Sequence, residues 1–163
     1  MRFAYADPPY PGMAHFYPEN TEVDHGELIA RLCAEYADGW ALSTASTTLQ
    51  DVLAVSPSDI RVMAWVKPFA SFKKGVGVAY AWEPVIVRGG RRREPRQLTV
   101  TDWVAASITL QRGLTGAKPE KFCHWLLEVL NVQPGDTVDD LYPGTGVMSR
   151  VLAERRAQMQ LAL

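Results

Sequence analysis

The sequence predicts an α/β fold in which helices cover both faces of a mostly parallel sheet. Short apolar runs alternate with segments whose apolar residues repeat at helical spacing, and this β-α-β-α-β order favours parallel pairing. The length of 163 residues suits one domain with its own core. A composition of 47% apolar and 21% charged residues is ordinary for a globular domain, which excludes a disordered tail and a coiled coil.

The first part of the chain carries clear strand and helix patterns. Residues 2–6 are mostly apolar and stop at two prolines, so we expect a buried strand that enters a rigid loop. Residues 24–38 place their apolar side chains on one helical face, and Gly39 follows as a stop signal. Residues 40–44 are predicted as the second strand.

In the middle of the chain, Ser46 can cap a helix that runs to about Val55. Residues 61–66 predict a third strand, and residues 80–87 predict a fourth that is interrupted near Pro84. Residues 98–110 leave strand and helix both open.

The last part of the chain is clear again. Pro119 suits the first turn of a helix with a broad apolar face. Residues 137–142 predict a strand, residues 143–146 a loop, and residues from 147 to about 158 a helix.

Charge and cysteine content restrict the class of protein further. A net charge of −1 excludes a globally basic nucleic-acid coat, although it leaves a local basic patch possible. Cys33 and Cys123 stand far apart and outside any Cys/His cluster, so neither a disulfide framework nor a metal site is expected. No apolar run approaches the roughly 20 residues of a membrane helix. We therefore expect an intracellular, cytoplasmic protein without a membrane segment.

The loop after the first strand carries candidate chemistry. Asp7, Pro8, Pro9 and Tyr10 stand where a strand ends, and open α/β sheets bind ligands beyond the carboxyl ends of their strands. The prolines have no N–H, so the loop presents acceptors only, which suits an exocyclic amino group. Tyr10 offers a ring for stacking. An ordinary strand-ending turn explains the same tetrapeptide.

A second candidate loop follows the strand predicted at residues 137–142. Residues 140–146 read Asp-Leu-Tyr-Pro-Gly-Thr-Gly, and the glycines allow the backbone to approach a ligand closely. The helix that starts near Val147 directs unpaired N–H groups at this loop. No third glycine stands at dinucleotide spacing, so a NAD site is poorly supported, and a plain tight turn remains open.

Together the two loops resemble those of the S-adenosylmethionine-dependent amino methyltransferases of DNA and RNA, in the permuted β class that includes the MT-A70-like enzymes. Residues 7–10 resemble the catalytic tetrapeptide, residues 140–146 the methionine-pocket motif, and residues 116–122 the Lys-Pro motif that precedes this pocket. Residues 65–67 and 82–87 resemble the strands after the catalytic loop. The five segments span nearly the whole chain in the family's order.

This resemblance implies a circularly permuted, Rossmann-like class I methyltransferase sheet and S-adenosylmethionine as cofactor. The catalytic residues it implies are Asp7, Pro8, Pro9 and Tyr10. Asp7 and the Pro8 carbonyl would accept the amino hydrogens of a flipped-out base while Tyr10 stacks on it. An aspartate in first position favours adenine over cytosine. The cofactor-binding residues it implies are Ala6, Asp7, Lys118, Pro119, Phe122, Asp140, Tyr142, Gly144, Thr145 and Gly146. Lys67 and Glu83 either support the active-site strands or pair at a strand end.

The family's next strand carries an acidic residue that holds the cofactor ribose, whereas here one helix follows the cofactor loop. We therefore expect a minimal sheet that lacks one edge. Adenosine binding would then be completed by another subunit, in a homodimer or with a partner, or by another segment, or it would be weak or absent. The chain is predicted as a single domain, residues 1–163, with a small basic insertion at about residues 88–117.

The densest charge in the chain lies in this insertion. Five arginines and one glutamate stand between residues 88 and 96, the arginines being Arg88, Arg91, Arg92, Arg93 and Arg96. Such a cluster suits phosphate contacts, and a solvated hairpin tip is the alternative.

The function expected first is methyl transfer to the N6 amino group of adenine in DNA. Two alternatives stay open: a catalytically impaired nucleic-acid-binding subunit, and an amino methyltransferase that acts on RNA or nucleotides.

Overall fold

The computed structural model describes residues 1–17, 20–68, 75–108 and 117–160, without the side chains of residues 159 and 160. The strands are β1 (Arg2–Ala6), β2 (Gly39–Ser43), β3 (Arg61–Val66), β4 (Trp82–Gly89), β5 (Trp103–Ala105) and β6 (Thr137–Asp140). The α-helices are α1 (His25–Glu35), α2 (Leu49–Ala54), α3 (Glu120–Val129) and α4 (Val147–Gln160). Residues 109–110 of the ambiguous segment and Gly116 of the Lys-Pro motif lie outside the described residues.

The six strands form one sheet in the order β5-β3-β4-β2-β1-β6. β1 pairs in parallel with β2 and with β6, and β3 pairs in parallel with β5. β4 is antiparallel to both of its neighbours, β2 and β3. Five of the described strands therefore run in one direction, which confirms the predicted mostly parallel α/β sheet. We call the end at which these five finish, and β4 begins, the carboxyl end of the sheet.

β4 is continuous through Pro84, so the predicted interruption is wrong. The last registered pair of β2 and β4 is Ser43 with Val85, and Pro84 lies one residue beyond it. Its carbonyl accepts a hydrogen bond from the Thr44 N–H at 3.1 Å. Because the missing proline donor falls at the end of this ladder, it removes no interior hydrogen bond.

Two apolar clusters cover the two faces of the sheet. α1 and α2 pack on one face, where Leu32 and Val52 meet the buried Trp40. α3 and α4 pack on the other face, where Phe122 and Val151 are fully buried. Burying each side chain of this size stabilises the fold by roughly 1.5–3 kcal/mol. The result is a three-layer arrangement whose central sheet carries the loops at its carboxyl end.

Two helix boundaries differ from the sequence prediction. α1 begins after Asp24, whose carboxylate accepts from the Glu27 N–H at 2.9 Å, but it ends at Glu35. Gly39 instead opens β2 with a φ of +148°, where an added Cβ would lie 2.4 Å from the Gly90 nitrogen. Glycine is therefore required for close strand approach rather than for stopping the helix.

α2 begins at Leu49 rather than after Ser46. Thr48 occupies the cap position, although its side chain makes no capping hydrogen bond. Pro119 precedes α3 as its cap residue with extended backbone angles. β6 ends at Asp140, two residues earlier than predicted. A 3₁₀ turn spans Ala14–Phe16, between the Asp7 loop and α1.

β5 lies within the span predicted as a basic insertion, and it forms one edge of the sheet. Division of the chain into one domain with an insertion stays a prediction. None of the described helices combines the length and apolar character needed to cross a membrane.

Candidate active site

The two candidate loops leave the sheet side by side. β1 and β6 are parallel neighbours whose register pairs Tyr5 with Asp140. The N–H of Leu141 continues this ladder by donating to the Tyr5 carbonyl at 2.9 Å. The loops at residues 7–12 and 140–146 therefore begin at adjacent points of the carboxyl end. Chain order alone does not show that these loops are neighbours, because the 130 residues from 7 to 136 separate the two strands.

A cluster of charged side chains surrounds Asp7. The Lys118 ammonium lies 2.9 Å from Oδ1 of Asp7 and 3.1 Å from Oε2 of Glu83. Lys67 pairs with the other carboxylate oxygen of Glu83, Oε1. Lys118 also donates to the Tyr10 hydroxyl oxygen at 2.8 Å. One buried ammonium thus joins the candidate loop at residues 7–10 to the start of β4.

Tyr10 is fixed by the same cluster. Its hydroxyl donates to Oε2 of Glu83 at 2.9 Å, and a longer contact of 3.3 Å reaches Oδ1 of Asp7. The hydroxyl therefore accepts from Lys118 while it faces two carboxylates. These contacts hold the ring beside Asp7 in one orientation.

Burial and charge act differently on the two carboxylates. Burial raises the pKa of Asp7, and the ammonium of Lys118 only partly opposes this. Burial acts on Glu83 in the same direction, but Lys118 and Lys67 together outweigh it and lower the pKa to about 2. Burial would lower the pKa of Lys118, yet Asp7 and Glu83 raise it above its ordinary value. Lys118 therefore stays protonated between two carboxylates.

The ring of Trp65 lies against the ammonium groups of Lys67 and Lys118. The ammonium groups of Lys67 and Lys118 lie 5.3 Å and 5.4 Å from the centre of the Trp65 ring. Such cation–π contacts favour a positive charge that has lost part of its hydration. The Trp65 indole N–H donates to the Ala106 carbonyl at 2.8 Å, which fixes the ring.

The second loop carries the remaining candidate residues. Oδ2 of Asp140 accepts from the Ser149 hydroxyl at 3.3 Å. Oδ1 is buried and has no hydrogen-bond partner among the described residues. Gly144 and Gly146 have φ angles of +46° and +72°, which side-chain-bearing residues rarely adopt. Burial raises the pKa of Asp140.

The other predicted cofactor residues occupy different depths. Ala6 and Phe122 are fully buried, and Phe122 packs its ring against Tyr5 at a centroid distance of 5.9 Å. Phe122 therefore supports the loops from below. Tyr142 and Thr145 are half-buried in the second loop. The sequence predicts that Lys67 and Glu83 either support the active-site strands or pair at a strand end. They form an ion pair with each other, and Glu83 shares the ammonium of Lys118 with Asp7. Ser149 carries no motif that could have identified it.

The arginine-rich segment lies elsewhere. Arg88 stands near the end of β4, which is the amino end of the sheet and opposite the candidate loops. Three of the five arginines have partners within the chain: Arg88 contacts Asp59 at 2.8 Å, Arg91 contacts Asp136 at 2.7 Å, and Arg93 donates to the Leu98 carbonyl at 3.0 Å.

Arg92 and Arg96 are exposed, and neither side chain forms an ion pair with a described residue. The structure does not bring the cluster to the Asp7 loop. Any phosphate contact by this segment rests on Arg92 and Arg96 and stays a prediction. The described residues contain no cluster of His, Cys, Asp and Glu side chains suited to a metal ion.

These strands, helices and loops define a methyltransferase-like α/β fold. The chain is similar to M1.HpyAVI in a crystal structure described as its complex with S-adenosylmethionine, with a TM-score of 0.65 at 13% identity over 94% of this chain and 77% of that one. A second M1.HpyAVI crystal structure superposes with a TM-score of 0.62 at 12% identity, covering 95% of this chain and 76% of that one.

At these identities the likeness confirms the fold expected from the resemblance. No protein-family profile matches the sequence. No curated protein matches it either.

Proposed function

We propose that this protein transfers a methyl group from S-adenosylmethionine to the N6 amino group of adenine in DNA. The observation that carries the proposal is the parallel pairing of β1 with β6, with Tyr5 in register with Asp140. This pairing sets an acceptor-only loop beside a glycine loop at one end of the sheet. Such an arrangement suits an amino group facing a methyl donor. The similarity to a fold solved with S-adenosylmethionine supports the same assignment.

The second loop fits the methionine end of the cofactor. The buried Oδ1 of Asp140 has no partner among the described residues, and an ammonium group would satisfy it. The left-handed backbone at Gly144 and Gly146 turns the chain toward the N-terminus of α4, where unpaired N–H groups favour a carboxylate. When bound, S-adenosylmethionine supplies an electrophilic methyl group on a sulfonium.

We propose that Asp7 orients and deprotonates the amino group. Lys118 and Tyr10 both contact Oδ1, and no described residue contacts Oδ2 in the same way. Oδ2 is therefore the atom that accepts an amino hydrogen, which raises electron density on the nitrogen. As the nitrogen gains the methyl group it loses one proton, which Oδ2 of Asp7 takes up and releases to solvent. The raised pKa of Asp7 makes this carboxylate a better acceptor than an ordinary aspartate.

Pro8, Pro9 and Tyr10 complete the proposed pocket. Neither proline can donate a backbone hydrogen bond, so the second amino hydrogen meets a carbonyl, for which we propose that of Pro8. The Tyr10 ring, held through its hydroxyl, would stack on the target base. Fixing these groups before the reaction reduces the reorganisation that the transition state needs.

Calorimetric titration with S-adenosylmethionine, followed by methyl-transfer assays on DNA, RNA and free nucleotides that contain adenine, tests the proposal. We expect binding and transfer to DNA, and loss of transfer in Asp7→Ala with the cofactor affinity nearly unchanged. Transfer to RNA or nucleotides alone would reassign the substrate. No binding at millimolar cofactor, together with tight DNA binding, would instead identify a nucleic-acid-binding subunit.

We also propose that a second copy or a partner subunit completes adenosine binding at the β6 side. β6 forms an edge of the described sheet and pairs with β1 alone. Analytical ultracentrifugation with and without S-adenosylmethionine tests this, since a dimer promoted by the cofactor is expected. A monomer that binds the cofactor tightly would contradict it.

A further inference from the structure

An open groove lies at the carboxyl end of the sheet, beside the candidate active site but separate from it. Its volume is about 510 Å³, and it is lined by Ser46, residues 75–80 and Trp82. A volume of this size lies within the range of roughly 300–1,000 Å³ found for ligand pockets. Residues 75–80 lead into β4, and Ser46 follows β2. None of the residues that hold Asp7 lines this groove.

The groove presents exposed aromatic and aliphatic side chains. Trp82 is 39% exposed, Tyr80 is 49% exposed and Val78 is 82% exposed. No acidic or basic residue is among the lining residues. Aromatic surfaces without a neighbouring carboxylate can accept the flat face of a base and do not repel its phosphate.

We propose that this groove binds an unpaired nucleotide within about three nucleotides of the target adenine, at about 3.4 Å per nucleotide, by stacking its base on Trp82 and Tyr80. The inference rests on the proposed function, because it is the catalytic loop that gives the neighbouring nucleotide its place. It adds a substrate requirement: the strand must be single or locally opened beside the target. Stacking is tolerant of sequence, since every base has a π face.

The connection between the groove and the catalytic loop is short. Trp82 directly precedes Glu83, which accepts the hydrogen bond from Tyr10 at 2.9 Å. Neighbouring strand residues point to opposite faces, so Trp82 faces away from the charged cluster. β4 lies two strands from β1, a lateral distance of about 10 Å at about 4.8 Å per strand.

One strand of stacked nucleic acid advances about 3.4 Å per nucleotide. A distance of about 10 Å therefore corresponds to about three nucleotides. A base within this distance of the target can reach the groove. The nucleic-acid backbone between the target and this base then crosses the carboxyl end of the sheet.

The test uses binding of a fluorescein-labelled 12-nucleotide single strand that contains one adenine, with Trp82→Ala, Tyr80→Ala and wild-type protein. Loss of one stacked base is expected to weaken binding about 5- to 100-fold. Trp103→Ala is the matched control, because Trp103 is a 50% exposed tryptophan outside the groove. The registers place both tryptophans on one face of the sheet, Trp103 opposite Ala64 and Trp82 opposite Val66.

We expect the affinity for the single strand to fall in the two groove variants and to stay within twofold of wild type in Trp103→Ala. We also expect the single strand to quench tryptophan fluorescence less in Trp82→Ala than in the wild type. Unchanged affinity in both groove variants would overturn the proposal, as would an equal loss in all three. Fully paired duplex that binds as tightly as the single strand, with the same response to Trp82→Ala, would also overturn it.

Failure of the proposed function remains distinguishable. Calorimetry with S-adenosylmethionine on the wild type reports the cofactor site and uses no nucleic acid. A protein that binds the cofactor and transfers methyl groups, but whose groove variants bind normally, rejects the groove alone. A protein that binds single strands through Trp82 but binds no cofactor rejects the transfer reaction alone.

Discussion

Both ends of the central sheet carry a cluster of charged side chains, and the two clusters differ in how their carboxylate oxygens are paired. At the carboxyl end, Lys118 is 7% exposed and lies between the carboxylates of Asp7 and Glu83. At the amino end, Arg91 pairs with Asp136, whose side chain is 3% exposed and also accepts from the N-terminal ammonium at 2.7 Å. Both clusters are satisfied by ion pairs. Among the described residues, both carboxylate oxygens of Asp136 have partners, whereas the partners of Asp7 contact its Oδ1.

The difference shows that the density of charge in a sequence is a poor guide to a binding surface. The arginine-rich segment is the most charged stretch of the chain, yet Arg88, Arg91 and Arg93 bind carboxylates or carbonyls of the same chain. The candidate loop at residues 7–10 carries one acidic residue and is surrounded by charges from distant segments. Both ends hold a partly buried carboxylate with a shifted pKa, but the shifts differ in direction: burial raises the pKa of Asp7, whereas at Asp136 burial is outweighed by hydrogen bonds that lower the pKa. A carboxylate with a raised pKa is the better proton acceptor, so function is expected at the Asp7 end.

The strongest test of this contrast is Asp7→Ala. Removal of the amino-group acceptor is expected to lower kcat by about 10²- to 10⁴-fold, with S-adenosylmethionine affinity within about threefold. Asp136→Asn at the other end of the sheet is the control and should leave kcat unchanged. Because burial raises the pKa of Asp7, the acid limb of kcat should lie above pH 3.8, the ordinary aspartate value. Unaltered turnover in Asp7→Ala would reject the role of this residue.

The next effect concerns stability. Lys118→Met leaves Asp7 and Glu83 without their shared ammonium, which should lower the free energy of unfolding by about 3–5 kcal/mol. Urea denaturation measures it. The double variant Lys118→Met with Asp7→Asn removes the uncompensated charge and should be more stable than Lys118→Met alone. Equal or lower stability of the double variant would mean that packing of the lysine stem, rather than charge, stabilises the loop.

Asp136→Asn should lower the free energy of unfolding by a smaller amount, about 2 kcal/mol, through its hydrogen bonds to charged donors. Burial opposes ionisation of Asp136, but hydrogen bonds from Arg91 and the N-terminal ammonium outweigh it and lower the pKa to about 2. A lowered folded-state pKa stabilises the protein above the ordinary value of 3.8, and this stabilisation is lost as the pH falls toward about 2.

Urea unfolding of the wild type and of Asp136→Asn from about pH 5 down to about pH 2 measures this loss. The variant should lose less stability across that interval than the wild type. Equal losses in the two proteins would mean that other carboxylates, among them Glu83, cause the loss of stability at low pH.

The smallest expected effect is on salt dependence. If the arginine-rich segment contacts phosphates, Arg92 and Arg96 make the contacts, and replacing both by Ala lowers the slope of log affinity against log salt by about 2. Arg91→Ala should leave the slope unchanged and lower stability instead, because its partner is Asp136. An unchanged slope in the double variant would remove this segment from the nucleic-acid interface.

Much of the fold follows from local pattern. Four of the five strands that run one way, and the four helices, are predicted from local sequence pattern, because strand and helix periods differ and a few neighbouring residues define them. The fifth strand, β5, lies in residues 98–110, where the pattern leaves strand and helix both open. Boundaries are less well predicted. Serine is a favourable residue at a helix N-cap, yet Thr48 rather than Ser46 occupies the N-cap position of α2. Pro84 argues against a continuous strand, but its place at the end of a ladder makes it harmless.

The sequence alone therefore determined the class of fold, the loops at residues 7–10 and 140–146, and the chemistry they can offer. Only the tertiary structure decided that β4 enters between β2 and β3, which carries Glu83 to Lys118 and Arg88 to the opposite end. It also decided that Asp7 and Lys118, 111 positions apart, share an ion pair. The physical reason is that local periodicity is set by neighbouring residues, whereas strand order and buried charge pairing depend on contacts between distant segments that no local pattern records.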